Sequence, residues 1–307
     1  MNKTVLFTVL AAAAMTAALS CSKEEKAPVA GKPITVEVGA PVVDVDPATS
    51  VALTSIDPAY TLAWEAGDKI HVINYQDGTA GYNDWGDFTT TEGGATASFT
   101  GTAGTNSYTK YLAARAYNGY TFSCSSTADS FKYNIPANQD GTGAKYCCFA
   151  EYASYDGATL SIPTMHLRSA LTRFDLPAAA DVRQVTVTVA YSESAGSSIG
   201  LCSSGDAYDV VCNFLNGKKF AGSGGPGKTI TISNGGALLS GPVYFVSRHT
   251  LSDAKYGTVT LTFVFTNSSA QTCTRTVTLF NGGDAISIKT GYLNYLGAVN
   301  LKPSDFS

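Results

Sequence analysis

Charge is scarce in this chain. Only 14% of its 307 residues are Asp, Glu, Lys or Arg, and 20 Lys+Arg against 24 Asp+Glu leave a net charge of −4 with no basic block. A nucleic-acid binder presents a basic face or stripe, so that class is excluded. Helical periodicity is missing too: beyond residue 20 no run of ten or more residues repeats its apolar positions every 3.6. An all-helical bundle is therefore out, and parallel α/β folds with their crevice chemistry are disfavoured. Past that point nothing approaches the roughly 18 consecutive apolar residues that a spanning helix needs. No C-x-x-C is present, which leaves a zinc ribbon or a thioredoxin-like site without its ligands. The absence of a short fixed repeat disfavours propellers and solenoids.

What is abundant is strand and turn chemistry. Hydrophobic residues make up 44% of the chain, with 17 Tyr and 30 Gly. Beyond Lys32 the apolar positions alternate, as in Ile34, Val36 and Val38; Val185, Val187 and Val189; and Val259, Leu261, Phe263 and Phe265. A period of two is the mark of half-buried strands. Turn signals punctuate them at Gln76-Asp77-Gly78, Glu92-Gly93-Gly94, Asn138-Gln139-Asp140-Gly141, Asn216-Gly217, Asn234-Gly235-Gly236 and Asn281-Gly282-Gly283. Many short strands with regular turns predict sandwiches or barrels. At about 150 residues per domain the length suits two of them. The small-residue joint Pro177-Ala178-Ala179-Ala180-Asp181 divides the chain into 33–176 and 177–307.

The N-terminus reads as a targeting segment. Met1 to Ser20 carries an apolar run from Val5 to Leu19, too short to span a bilayer but right for a signal peptide. It ends Ala18-Leu19-Ser20-Cys21, which resembles the lipobox of bacterial lipoproteins and implies that Cys21 becomes the acylated mature terminus. Several acyl chains on one cysteine would anchor the protein to the outer membrane for practical purposes permanently. Residues 21–32 form a flexible linker opening with Ser22-Lys23-Glu24-Glu25-Lys26. This patch is either a solvated tether or an export signal, since it is similar to the Lys-acidic-acidic tag of surface lipoproteins of the Bacteroidetes.

Further in, the segment Trp64-Glu65-Ala66-Gly67-Asp68-Lys69-Ile70-His71-Val72 resembles the Trp-x-x-Gly-Asp-x-Ile-x-Val signature of the fimbrillin-like proteins, subunits of type V pili. Other pieces follow in family order: Phe99-Thr100-Gly101, Tyr111-Leu112-Ala113-Ala114, Ile135-Pro136 with Gln139, and Met165 to Phe174, which looks like the long strand closing the first domain. The resemblance implies an all-β fold of two transthyretin-like β-sandwich (Greek-key) domains in tandem. Physically, Trp64 suits a core between sheets, Gly67 a turn where a side chain would strain the backbone, Asp68 the capping of turn amides, and Ile70 re-entry into the sheet. These are expected to be fold residues.

Candidate chemistry is thin. Gly222 to Thr229 matches G-x-x-x-x-G-K-[ST], but a phosphate loop must hand its anion to a helix, and Ile230-Thr231-Ile232 alternates like a strand. His71, His166 and His249 have no second ligand at metal spacing. Asp84 and Asp87 read as loop carboxylates, and the run Asn83 to Asp87 as a plain loop that could otherwise hold calcium or offer Trp85 to a sugar. Beyond Cys21 there are cysteines at 124, 147, 148, 202, 212 and 273. Cys147 and Cys148, read within a strand, point to opposite faces. Cys202 and Cys212 could close a hairpin, or several of the six could be buried core thiols. No catalytic residue, cofactor or metal is expected, and the chain reads as no enzyme.

The fimbrillin-like resemblance implies assembly by strand donation, in which a protease removes the first strand and a neighbouring subunit fills the groove. That strand would be Pro33 to Val45, with Ile34, Val36 and Val38 as inward pegs. Relatives are cut after Arg or Lys, yet none occurs from Pro33 to Asp68 here. The expected partners are other pilus subunits, the outer membrane through the lipid, and a host or bacterial surface ligand. The alternative is a surface lipoprotein that does not polymerise and binds a glycan or host ligand through exposed aromatics.

Overall fold

The computed structural model describes residues 28–42, 44–45, 62–76, 81–115, 120–124, 129–192, 200–204, 210–213, 227–248, 257–279, 288 and 291–307. The signal segment, Cys21, Ser22 to Lys26, Gly222 to Pro226, His249 and the turns at Asp77-Gly78, Asn216-Gly217 and Asn281-Gly282-Gly283 lie outside the described residues.

The strands run as β1 (Pro33–Val38), β2 (Pro41–Val42), β3 (Asp44–Val45), β4 (Lys69–Tyr75), β5 (Asn83–Thr90), β6 (Ala97–Thr102) and β7 (Lys110–Arg115). Next come β8 (Tyr120–Cys124), β9 (Asp129–Tyr133), β10 (Asn138–Gln139), β11 (Phe149–Tyr155), β12 (Thr159–Ile162), β13 (Met165–His166) and β14 (Ala170–Leu176). The remainder are β15 (Val182–Tyr191), β16 (Val210–Asn213), β17 (Thr229–Ile232), β18 (Gly241–Ser247), β19 (Val259–Asn267), β20 (Thr272–Thr278) and β21 (Tyr292–Ala298). Among the described residues there is no α-helix, only short 3-10 turns, so the fold is all-β.

Seven strands close into a barrel in the order β1-β12-β11-β7-β4-β5-β6 and back to β1. In β1 the alternation read in the sequence holds, with Ile34, Val36 and Val38 buried, and Phe88, Phe99 and Leu160 of other barrel strands are buried too. A second body is made of two sheets, β10-β17-β15-β19-β20 and β18-β14-β21-β3. They meet through aromatic rings, with Phe174 of β14 set 5.4 Å from Phe263 and 6.4 Å from Phe265 of β19, centroid to centroid. Val185, Val187 and Val189 of β15 are buried alongside them.

Three expectations are corrected. Met165 to Phe174 is not one strand closing the first body. It breaks at Leu167 to Ser169, where the buried Arg168 donates from Nε to Ala150 O and from Nη2 to Glu151, and its continuation β14 pairs with β18 and β21 of the second body. The joint after it, a 3-10 turn over Ala178–Ala180, carries the chain from one sheet of that body to the other. The Asn138–Gln139 pair is not a turn but β10, parallel to β17. Its reason is Gln139, buried at 2% exposure, whose side-chain amide donates to Val246 O and accepts from Val246 N, both at 2.8 Å. Finally, Asn83 to Asp87 is no loop. It opens β5, and Trp85 is buried with its indole N–H donated to Thr105 O at 2.9 Å, which removes it as a sugar platform.

Candidate functional site

The first strand occupies a lane with a neighbour on each side. β1 runs antiparallel to β6 through six residue pairs and parallel to β12 through four, so that Val36 lies opposite both Phe99 and Leu160. The three pegs differ little in exposure, at 7% for Ile34, 0% for Val36 and 2% for Val38. Of the outward residues, Glu37 accepts the Ser98 hydroxyl at 2.8 and 2.9 Å.

Both ends of the lane are tied. At the entry, Gly31 N donates to Ala103 O and Ala103 N to Lys32 O. At the exit, Gly39 N donates to Ile162 O at 2.7 Å, and the Trp64 indole N–H donates to Gly39 O at 3.0 Å. A Cβ on Gly39 would stand 1.8 Å from the main-chain oxygen of Pro163, so no side chain fits there. Beyond it the chain crosses over as β2, parallel to β13, and β3, parallel to β21. β1 and β3 thus pair with strands of different bodies.

Of the signature residues, Trp64 reaches this exit through its bond to Gly39 O. Trp64 forms an isolated bridge with Gly94, sets its ring edge-on to Phe99 at 5.1 Å, and lies under the Arg115 guanidinium at 6.0 Å. Arg115 Nη2 reaches Asp68 Oδ1 at 3.1 Å, and Asp68 Oδ2 accepts Glu65 N at 2.9 Å. Gly67 holds φ +93, in the region that favours glycine. Ile70 is fully buried in the barrel. Gly101, opposite Ile34, is also required by space, because a Cβ there would lie 2.6 Å from the Phe88 ring.

A cavity of about 310 Å³ opens beside Trp64, lined in part by Asp68, Arg115, Asp140 and Lys145. Four of its charged residues pair off, Arg115 with Asp68 and Lys145 with Asp140, Nζ lying 2.5 Å from Oδ2. Burial works to raise the Asp140 pKa, but the Lys145 ammonium together with the Thr142 N–H and hydroxyl outweighs it, and the net shift is downward. The hydrogen bond to Asp140 leads in holding the Lys145 pKa up.

Sequence reading missed one cluster. His71 of β4 is buried between two carboxylates of β5, with Nε2 2.7 Å from Asp84 Oδ1 and Nδ1 3.0 Å from Asp87 Oδ1. The signal was there in two acids three residues apart, but only their β5 register brings them to one histidine. His166 lies in β13, half-buried, 3.9 Å from Glu151. Among the described residues no group of three or more His, Cys, Asp or Glu is arranged to hold a metal ion. In the G-x-x-x-x-G-K-[ST] match, Gly227 bridges to Cys202 and Thr229 opens β17, so the residue types of a phosphate loop lead into a strand.

Cys147 and Cys148 precede β11 instead of lying in a strand, and both are buried beside the 3-10 turn Ala144–Tyr146. Burial pushes the Cys147 thiol up to about 12. Cys202 and Cys273 are buried as well, while the side chains of Cys124 and Cys212 lie outside the described residues.

No family model matches the chain, and neither does any curated protein. Solved structures do. A candidate cell adhesion protein from Bacteroides uniformis is 14% identical at a TM-score of 0.47, covering 80% of this chain and 90% of its own. A fimbrial protein from Bacteroides ovatus is 10% identical at 0.41, over 89% of this chain and 51% of its own. The tip fimbrial protein Mfa3 from Porphyromonas gingivalis is 6% identical at 0.32, over 82% and 83%.

Proposed function

We propose that the chain is a non-enzymatic cell-surface lipoprotein, acylated at Cys21, that serves as a structural subunit of a fimbria or pilus assembled by β-strand donation. The observation that carries this reading is the place of β1: it is the first strand of the described chain, yet it closes the barrel between β6 and β12 with three buried pegs. Its loss would leave a lane with unpaired main chain on both sides and three vacant pockets, which is the geometry that recruits an extended strand. Other subunits are then the partners, with adhesion as the outcome. In this reading the two bodies correspond to tandem transthyretin-like domains, with β14 counted in the second because both its pairing partners are there.

The glycan-binding alternative loses one of its supports, the Trp85 loop. Trp85 is buried, and among the described residues the exposed large hydrophobics are Val29, Tyr152 and Leu238, with a single aromatic among them.

The test is intact mass and N-terminal sequencing of protein sheared from its native cells, run beside electrophoresis without boiling. A mature start downstream of Val45 with a heat-sensitive ladder is expected of a stalk subunit. An acylated Cys21 on a lone monomer would overturn the stalk role and leave an anchor or a ligand-binding lipoprotein.

A further inference from the structure

The lane is more selective than an apolar groove. Its pegs set a pattern of aliphatic residues at alternate positions, and the residue after the third peg has no room for a side chain. The obstacle at Gly39 is the Pro163 main-chain oxygen, 1.8 Å from where a Cβ would stand. A flexible side chain could swing away, whereas this oxygen belongs to the main chain that links β12 to β13. The same residue is gripped through both of its main-chain groups, by Ile162 O and by the Trp64 indole. A strand that enters must therefore bring its backbone close at that point, and only glycine allows it.

We propose that the lane between β6 and β12 is keyed to a strand of the form aliphatic-x-aliphatic-x-aliphatic-Gly, and that Pro163 and Trp64 are its specificity-determining residues. The partner that fits is an extended segment of a different protein. Of the 30 glycines in this chain, Gly39 alone is preceded at one, three and five residues by Val, Ile, Leu, Met or Phe. The C-terminal run Asn300 to Ser307 contains no glycine, and its end is already docked, with Ser307 and Thr272 exchanging two main-chain hydrogen bonds. No other segment within these 307 residues carries the pattern that the lane requires. This inference rests on the strand-donation reading and narrows it to heterotypic donation.

The test uses the full chain carrying Val36→Pro, which removes a ladder N–H and a peg from β1. It is mixed with a labelled peptide of residues 32–42 of this chain, or with a twin bearing alanine at the glycine. The keyed lane predicts binding of the glycine peptide about ten-fold or more tighter than its twin. Equal binding of both overturns the key and leaves strand donation standing. Binding of neither peptide to a folded variant overturns both.

Should Val36→Pro not fold, Gly39→Ala in the otherwise unaltered chain serves. Hydrogen exchange at the β1 amides should then quicken about ten-fold or more while the second body is unchanged, and unaltered β1 protection overturns the key. Sedimentation of the unaltered chain separates the remaining source. A monomer is expected, and a dimer whose exchanged segment maps to β1 would assign the lane to a second copy and overturn the heterotypic partner.

Discussion

The Trp64 indole donates to the main-chain oxygen of Gly39 at 3.0 Å, joining the signature turn to the last residue of the first strand's lane across 25 positions of sequence. Gly39 lies one residue past the last ladder pairs of β1, Val38 with Ile162 and with Ala97, so the indole serves a carbonyl beyond the ladder. A tryptophan in a short motif thus acts as a latch on a strand far from it in sequence.

Trp64→Phe keeps an aromatic ring beside Phe99 but deletes the donor. Leaving a part-buried carbonyl unpaired costs about 1–3 kcal/mol. Urea unfolding of the full chain, followed through the remaining Trp85, should show that loss. A change under about 0.5 kcal/mol would mean that the latch contributes nothing.

Val36 and Glu37 are neighbours with opposite fates, one fully buried and one facing solvent. Val36→Ala removes buried methyl groups and leaves a cavity, for a loss of about 2–3 kcal/mol. Glu37→Ala removes only its surface bond to Ser98, and should stay within about 0.5 kcal/mol. Paired denaturation curves of the two variants check the difference.

The Cys147 thiol, raised to about 12 by burial, has a thiolate fraction of roughly 10⁻⁴ at pH 8. Iodoacetamide at that pH should leave it unmodified in the native chain and alkylate it fully in guanidinium. Peptide mass spectrometry reads both states.

Asp140 has a folded pKa below its unfolded value of 3.8. Its contribution to stability is therefore present above pH 3.8 and is lost as the pH falls through the folded value. Asp140→Asn should be less stable than the parent at pH 7, and the gap between the two should close on acidification below 3.8. Melting temperatures across pH 2 to about 7 test this, and a gap that stays constant would remove the pair from the acid response.

Alternation is a property of one strand, and that is why so much of the fold was legible. The buried faces of β1, β15 and β19 follow directly from period-two runs, and Gly235-Gly236 turns the chain between β17 and β18 with both φ positive. Where the reading went astray, one side chain had changed the local rule. Gln139 satisfies Val246 and makes a bridge strand of an apparent turn, and Arg168 interrupts an apparent single strand.

By itself the sequence determined an all-β chain and the inward pegs of the first strand, because residue type and spacing act locally. Which strands become neighbours was decided only by the tertiary structure. Nothing near Ile34 announces that β6 and β12 will flank it, nor that β14 will join β18 and β21. Pairing over such separations depends on how whole apolar faces pack together. The same packing brings Pro163 against Gly39 and gathers Asp84 and Asp87 on His71.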